Sequence, residues 1–399
     1  MKAVASIRIF IILLYFLVLD MFFLLFIKFY LNSGRFYGKI NILYDERSMS
    51  MIIKADNSSL AYMGRIDHIS PDEARMYYAG SQVIFNFKGT AVKAVISAEL
   101  YWGELSLGVI LDGEMIKIPL SAENNGKDIT VTIAEGLSDT EHSVIIYKKH
   151  AANMLLTFKG AEIDGELLEK PQLPQLKMEV YGDSVCAGEV IEAEEFAGQC
   201  DPDGHNSRFD NVWNSFVMQT SRNVNAQIHN ICQGGIALFD GTGYFHHPDY
   251  IGLESVYDKA CYFPEGGITS WDFKLYSPDI VVIAIGQNDQ HNGITDKNDR
   301  DITDPVYKDI WKTAYKKLVR TLNNNYGSAK FVLTTTVLMH DKAWDDAIEE
   351  IKNELNEEGI KAYHNIFSRN GAATPGHPRL SEHNEMAEEL TAFIKTNVL

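Results

Sequence analysis

Along residues 83–161 apolar and polar positions alternate in short stretches: Gln82-Val83-Ile84-Phe85-Asn86-Phe87, Ala91 to Leu100, Gly108 to Leu111, Asp128 to Ile133 and His142 to Tyr147. A period of two sends one set of side chains to a buried face and the other to water, so this region predicts an antiparallel β-sandwich. After Lys170-Pro171-Gln172-Leu173-Pro174, a short proline-bearing linker, the period changes. Strands now alternate with helices: Met178 to Tyr181, a helix near Asn211 to Arg222, Ala226 to Ile231, Ile280 to Ile285, a helix near Pro305 to Asn324, Lys330 to Val337, a helix near Trp344 to Glu358, Lys361 to His364 and a last helix over Ser381 to Lys395. Ile280 to Ile285 is wholly apolar and β-branched, as a central parallel strand covered on both faces reads. The pattern predicts a three-layer α/β domain with its active groups at the carboxyl ends of the strands. Three segments follow: an apolar N-terminal stretch over 1–50, a sandwich over 51–169 and an α/β domain over 175–399.

Four segments bring candidate chemistry onto those strand ends. Val180-Tyr181-Gly182-Asp183-Ser184-Val185-Cys186-Ala187-Gly188 lifts a serine from the end of an apolar strand onto a glycine-flanked turn. A Gly-Asp-Ser triplet alone is also ordinary turn chemistry, and what distinguishes this one is the company it keeps. Asn230 to Ala237 follows a strand and offers the backbone N–H of Gly235. Gly286-Gln287-Asn288-Asp289 ends the central strand, where Asn288 can aim a side-chain amide. Gly376-His377-Pro378 precedes the closing helix, and His377 is the natural general base.

In order and spacing over 176–399 these four blocks resemble those of the SGNH (GDSL-like) hydrolase superfamily. Trp271-Asp272-Phe273 ahead of Ser277-Pro278-Asp279-Ile280-Val281-Val282, with a β-rich N-terminal portion bearing Gly64-Arg65 and Tyr78-Ala79-Gly80-Ser81, is similar to carbohydrate esterase family 2. The resemblance then covers about residues 60–399. It implies a jelly-roll-like antiparallel sandwich followed by an α/β/α SGNH hydrolase domain. It also implies an acetyl esterase acting on plant polysaccharides such as acetylated xylan or mannan fragments. Ser184 is the expected nucleophile and His377 the base, with the N–H groups of Ser184 and Gly235 and the Asn288 amide as oxyanion donors. Superfamily members commonly carry an aspartate three residues before the histidine, where this chain has Thr374. A Ser184/His377 dyad is therefore expected, with a main-chain carbonyl near Thr374 or Pro375 holding Nδ1–H. Tyr244 and His291 are expected to touch substrate, and no metal or organic cofactor is called for. A glycan-binding protein with a vestigial esterase site is the competing reading.

Composition changes the picture little. Asp and Glu number 54 against 36 Lys and Arg, a net charge of −18 that disfavours nucleic acid and anionic surfaces and suits a neutral sugar ester. Cys186, Cys200, Cys232 and Cys261 lack metal spacing and read as free thiols, with a Cys186–Cys200 bridge left open by the even count. His246-His247, adjacent on a loop, read as surface polarity rather than a metal pair, and the Asp201-Pro202-Asp203-Gly204-His205 run as turn chemistry. Asp183 is expected to support its turn by hydrogen bonds.

The N-terminus poses a separate question. Ile9 to Ile27 is apolar except for Asp20, long enough to cross a bilayer, and shows no small-residue cleavage site before a polar region. As the sequence stands, this predicts a transmembrane helix and a membrane-anchored protein of undecided orientation, with Lys2 and Arg8 before the stretch and Lys28, Arg35 and Lys39 after it. A second reading stays open: the segment is upstream DNA, Glu46-Arg47-Ser48 reflects a purine-rich ribosome-binding sequence, and a cytoplasmic protein begins at Met51.

Overall fold

A computed structural model of the chain describes residues 50–151, 154–263, 267–291, 300–371 and 375–399. Residues 48–399 form one compact unit. Its N-terminal half holds β1 (Met51–Lys54), β2 (Ala61–Met63), β3 (Ile66–Ser70), β4 (Glu73–Met76), β5 (Gln82–Leu100), β6 (Ser106–Leu111), β7 (Glu114–Pro119), β8 (Asp128–Tyr147) and β9 (Met154–Leu167). They hydrogen-bond as one antiparallel sheet in the order β3-β4-β9-β5-β8-β6-β7, with β1 on β9 and β2 on β5. Alternate side chains, among them Ile53, Met76, Phe85, Phe87, Val109, Val144, Ile146 and Phe158, meet in a single apolar core.

The pattern had suggested a break between Phe87 and Ala91, and another between Ile133 and His142. Instead β5 and β8 each run straight through. The register shifts at Gly89/Ala91, where β5 pairs with both β8 and β9, so a bulge fills the gap between the two alternating stretches. Gly89 permits it: a Cβ there would lie 2.0 Å from the Asp164 carbonyl oxygen, and one on Gly165 would lie 2.0 Å from that of Lys88.

No strand or helix occupies the chain between Leu167 and Leu176. Beyond it, β10 (Leu176–Gly182), β11 (Ala226–Cys232), β14 (Ile280–Ala284), β15 (Lys330–Thr334) and β16 (Ala362–His364) form a parallel sheet in the order β11-β10-β14-β15-β16. A small antiparallel pair, β12 (Lys259–Phe263) and β13 (Gly267–Ser270), was not legible in the pattern. The sheet is buried on both faces. Tyr181, Ile231, Val281, Ile283 and Leu333 point to a core shared with Trp311 and Tyr315 of α4 (Pro305–Tyr326) and Trp344 and Ile348 of α5 (Lys342–Glu357). Met178, Val180, Ile228, Val282 and Val332 point the other way, to Phe216 and Met218 of α2 (Phe216–Asn223) and Met386 and Leu390 of α6 (Leu380–Phe393). Asp304 caps α4 by accepting from Val306 N and Asp341 caps α5 by accepting from Ala343 N, satisfying donors that helix starts leave open.

The chain leaves β10 to pair β11 on one side, then returns to place β14 on the other. The sheet thus reverses its winding beside β10, and a crevice opens at the carboxyl ends of β10 and β14.

The membrane expectation is corrected. Among the described residues no helix is long and apolar enough to cross a membrane. Ile9 to Ile27, on which the transmembrane helix, the anchoring and the localisation drawn from them all rested, lies outside the described residues, and those assignments are withdrawn.

Candidate active site

Ser184 begins a single helical turn, α1 (Ser184–Ala187), directly at the end of β10. Asp183 caps that turn, its Oδ1 accepting from Val185 N at 3.0 Å, and Gly188 closes it in the left-handed region at φ +72°. A side chain at Gly188 would meet the Asn211 carbonyl oxygen at 2.7 Å, so only glycine allows the chain to leave here. Asp183 does more than hold its own turn: Oδ2 accepts from Gln287 Nε2 at 2.6 Å and from Asn288 Nδ2 at 3.1 Å. One carboxylate thereby ties the β10 turn to the segment after β14. Burial pushes this carboxyl up to about 6, against the pull of its hydrogen bonds to Val185 and Gln287.

Asn288 lies in the cavity wall with Nδ2 also donating to the Ile236 carbonyl oxygen at 3.2 Å. Both amide hydrogens are engaged, so donation to a substrate oxygen means sharing or releasing one of these bonds. Its neighbour Asp289 is a scaffold, accepting from Trp311 Nε1 at 2.8 Å and Leu238 N at 3.0 Å, and burial raises it to about 7. Gly235 adopts φ +71°, and its carbonyl accepts from Tyr244 N at 2.8 Å.

His377 carries the main correction. Its Nδ1 lies 2.6 Å from Asp201 Oδ2, and its backbone N–H donates to Asp201 Oδ1 at 2.9 Å. The expected main-chain carbonyl near Thr374 or Pro375 is replaced by this carboxylate; Thr374 itself lies outside the described residues. Arg379, wholly buried, pairs with Asp201 Oδ1 at 2.9 Å and donates to the His377 carbonyl. Gly376 makes the approach feasible, since a Cβ there would lie 2.7 Å from Asp201 Oδ1. Burial works against the imidazolium, but the hydrogen bond and charge of Asp201, with Glu189 and Asp183 further off, hold His377 above the usual histidine range. Asp201 feels burial too, yet its bonds to His377 and the Arg379 charge hold it below the usual carboxylate range.

Ser184, Gly235, Asn288 and His377 all line one cavity of about 690 Å³. Tyr244 lines it as well, while His291 stands behind, its ring stacked on Tyr244 at 3.8 Å and its Nδ1 2.6 Å from the Gly243 carbonyl oxygen. His246 and His247, read from sequence as surface polarity, also reach the cavity wall. The four cysteines are free.

Three contributions were missed. Asp201 stood in a run read as turn chemistry, 176 residues from its histidine. Glu189, just past the glycine that ends the Ser184 turn, reaches to 4.0 Å from His377 Nε2. Tyr77, Tyr101 and Trp102 bring the antiparallel sheet's loops into the cavity wall, with no signal in the sequence to place them there.

Residues 62–171 match the carbohydrate esterase 2 N-terminal family. The chain is 29% identical over 354 residues to the cellulase/esterase CelE of Acetivibrio thermocellus, covering 86% of this chain and 40% of that protein. The chain thus spans well under half the length of that relative. It is 27% identical over 377 residues to an acetylxylan esterase/glucomannan deacetylase of Cellvibrio japonicus, covering 92% of this chain and 96% of that one. Among solved structures, a family two carbohydrate esterase from Clostridium thermocellum in complex with cellohexaose superposes with a TM-score of 0.70 at 27% identity, covering 85% of this chain and 99% of the other.

Proposed function

We propose, from the likeness to family two carbohydrate esterases, that the chain is a serine esterase of the SGNH type removing O-acetyl groups from carbohydrate, such as acetylated xylan or mannan fragments. The observation that carries the reading is the Asp201–His377 pair opening on the cavity that also holds Ser184. Asp201 fixes the tautomer in which Nδ1 carries a proton and Nε2 is free to accept one. The working set is therefore a Ser184/His377/Asp201 triad in place of the expected dyad.

In the first half-reaction His377 Nε2 takes the Ser184 proton while Oγ bonds to the acetyl carbon. Negative charge collects on the carbonyl oxygen, facing the N–H groups of Ser184 and Gly235 and the Asn288 amide. The ester C–O bond then breaks, and the sugar oxygen leaves with the proton from Nε2. Water, deprotonated by the same nitrogen, attacks the acyl-enzyme and releases acetate and free Ser184.

Acetate release from acetylated xylan and glucomannan, followed in wild type, Ser184→Ala, His377→Ala and the double variant, tests this. Each single variant is expected to lose about three or more orders of magnitude, and the double to be no slower than either, because the groups act as a unit. Binding of the polysaccharide with no turnover in wild type would favour a glycan-binding protein instead.

A further inference from the structure

Glu189 is the acidic side chain among the described residues that line the cavity. It sits between the parts of the acyl-transfer apparatus. Its backbone N–H donates to the Ser184 carbonyl oxygen at 3.0 Å, so it is anchored to the nucleophile turn. Its Oε1 packs on the α-carbon of Gly234, where a Cβ would lie only 1.9 Å away; the glycine there is what gives the carboxyl its place. Its Oε2 lies 4.0 Å from His377 Nε2. The carboxyl takes part in no hydrogen bond among the described residues, although 15% of the side chain stays exposed at the cavity surface.

A carboxyl held this way by packing alone is an unused acceptor, and its position says what it would meet. His377 Nε2 has to come within hydrogen-bond reach of the sugar oxygen that leaves. Oε2, one hydrogen-bond step beyond Nε2, then faces the part of the sugar next to that oxygen. On a sugar acetylated at a secondary ring position, a free hydroxyl stands on the neighbouring carbon.

We propose, resting on the esterase reading, that Glu189 is a specificity residue that accepts a hydrogen bond from the sugar hydroxyl neighbouring the acetylated oxygen. Two features of the surroundings fit a neutral donor as the ligand. Asp183, Asp201 and Asp210 all face Glu189 with like charge, and the His377 imidazole is the nearest group of opposite sign. An anionic group would be repelled here, and an ammonium would compete with His377 for the same carboxylate. A hydroxyl does neither, and it satisfies the acceptor whichever protonation state the carboxyl takes, since both forms retain a lone pair. The contact would also tell a sugar ester from a simple alkyl or aryl ester, which has no neighbouring hydroxyl.

The test compares kcat/KM on methyl glycoside monoacetates bearing a hydroxyl beside the ester with their deoxy counterparts, in wild type, Glu189→Ala and Glu189→Gln. Wild type is expected to prefer the hydroxyl-bearing ester by about three- to tenfold with the carboxyl neutral and by up to about a hundredfold with it ionised, the ranges of hydrogen bonds to neutral and charged groups. That preference should collapse in Glu189→Ala and return in part in Glu189→Gln, whose amide oxygen still accepts. A merely structural Glu189 lowers both substrates alike, and an unchanged ratio in Glu189→Ala overturns the proposal while leaving the esterase reading intact. Absence of turnover on both esters and on p-nitrophenyl acetate in wild type overturns the esterase reading itself, and this inference with it.

Discussion

Two clusters of charge sit within this unit, and they are built on opposite principles. Between the antiparallel sheet and the parallel one, Arg65 and Glu179 are both fully buried. Arg65 donates to Glu179 Oε1 at 3.0 Å, to Tyr181 Oη at 2.6 Å and to the carbonyls of Tyr257 and Lys259 at 2.6 and 3.1 Å. Tyr181 and Tyr326 donate to the other oxygen of Glu179, and the rings of Trp271 and Phe273 lie 5.4 Å from the guanidinium. The Glu179 oxygens and most Arg65 donors have partners, so the pair is held in place from both sides. At the cavity, Asp201 is engaged through both oxygens, but the His377 ring is bonded on its Nδ1 side only, and Nε2 and the Glu189 carboxyl face the cavity. Saturation makes a clamp between two sheets; incompleteness makes a place where a substrate can complete the set.

The comparison can be broken most forcefully at the clamp. Arg65→Ala leaves Glu179 buried without its counter-charge and is expected to destabilise the fold by about 3–5 kcal/mol in denaturant unfolding. A loss under about 1 kcal/mol would mean that the tyrosines alone carry the carboxylate. At the cavity the corresponding change is felt in rate. Asp201→Asn keeps the shape but loses the charge that fixes the His377 tautomer, and kcat should fall by on the order of a hundredfold or more. Asn288→Ala should lower kcat by about a hundredfold with little change in KM, because its amide matters when charge develops on the carbonyl oxygen. A large KM effect with kcat intact would place Asn288 in ground-state binding.

The smallest effect is a displacement of the pH profile. His377 must be neutral to act as base, and its folded-state value is raised, so kcat/KM should climb through an acid limb lying above pH 6.5. Removing the Asp201 charge takes away the largest of the raising influences, so Asp201→Asn should move that limb to lower pH. A limb that stays put would show that Asp201 does not govern the histidine's charge.

Much of the α/β half was legible because its signals are local. Gly182-Asp183-Ser184 at a strand end, the fully apolar Ile280 to Ile285 and the histidine ahead of the last helix each depend on a few neighbouring residues, and the structure puts them where that logic leads. The antiparallel half was legible in period but not in continuity. The gap between the stretches ending at Phe87 and beginning at Ala91 is a bulge inside β5, which pairs with β8 and β9 on either side of it.

What the chain determined alone is therefore the parallel strands and long helices of the second half, the two-residue period of the first, and the turn that bears Ser184, all properties of short-range sterics and hydrophobic period. Tertiary structure decided the rest. The acid run at Asp201 looks like any polar turn until the loop after α1 folds against the start of α6 and Gly376 lets the carboxylate in. Glu189 becomes part of the site only because Gly234 leaves room for it, and Trp102 only because the loop between β5 and β6 reaches the cavity. Such contacts depend on where distant segments come to rest, which is set by the packing of whole layers and not by the residues on either side.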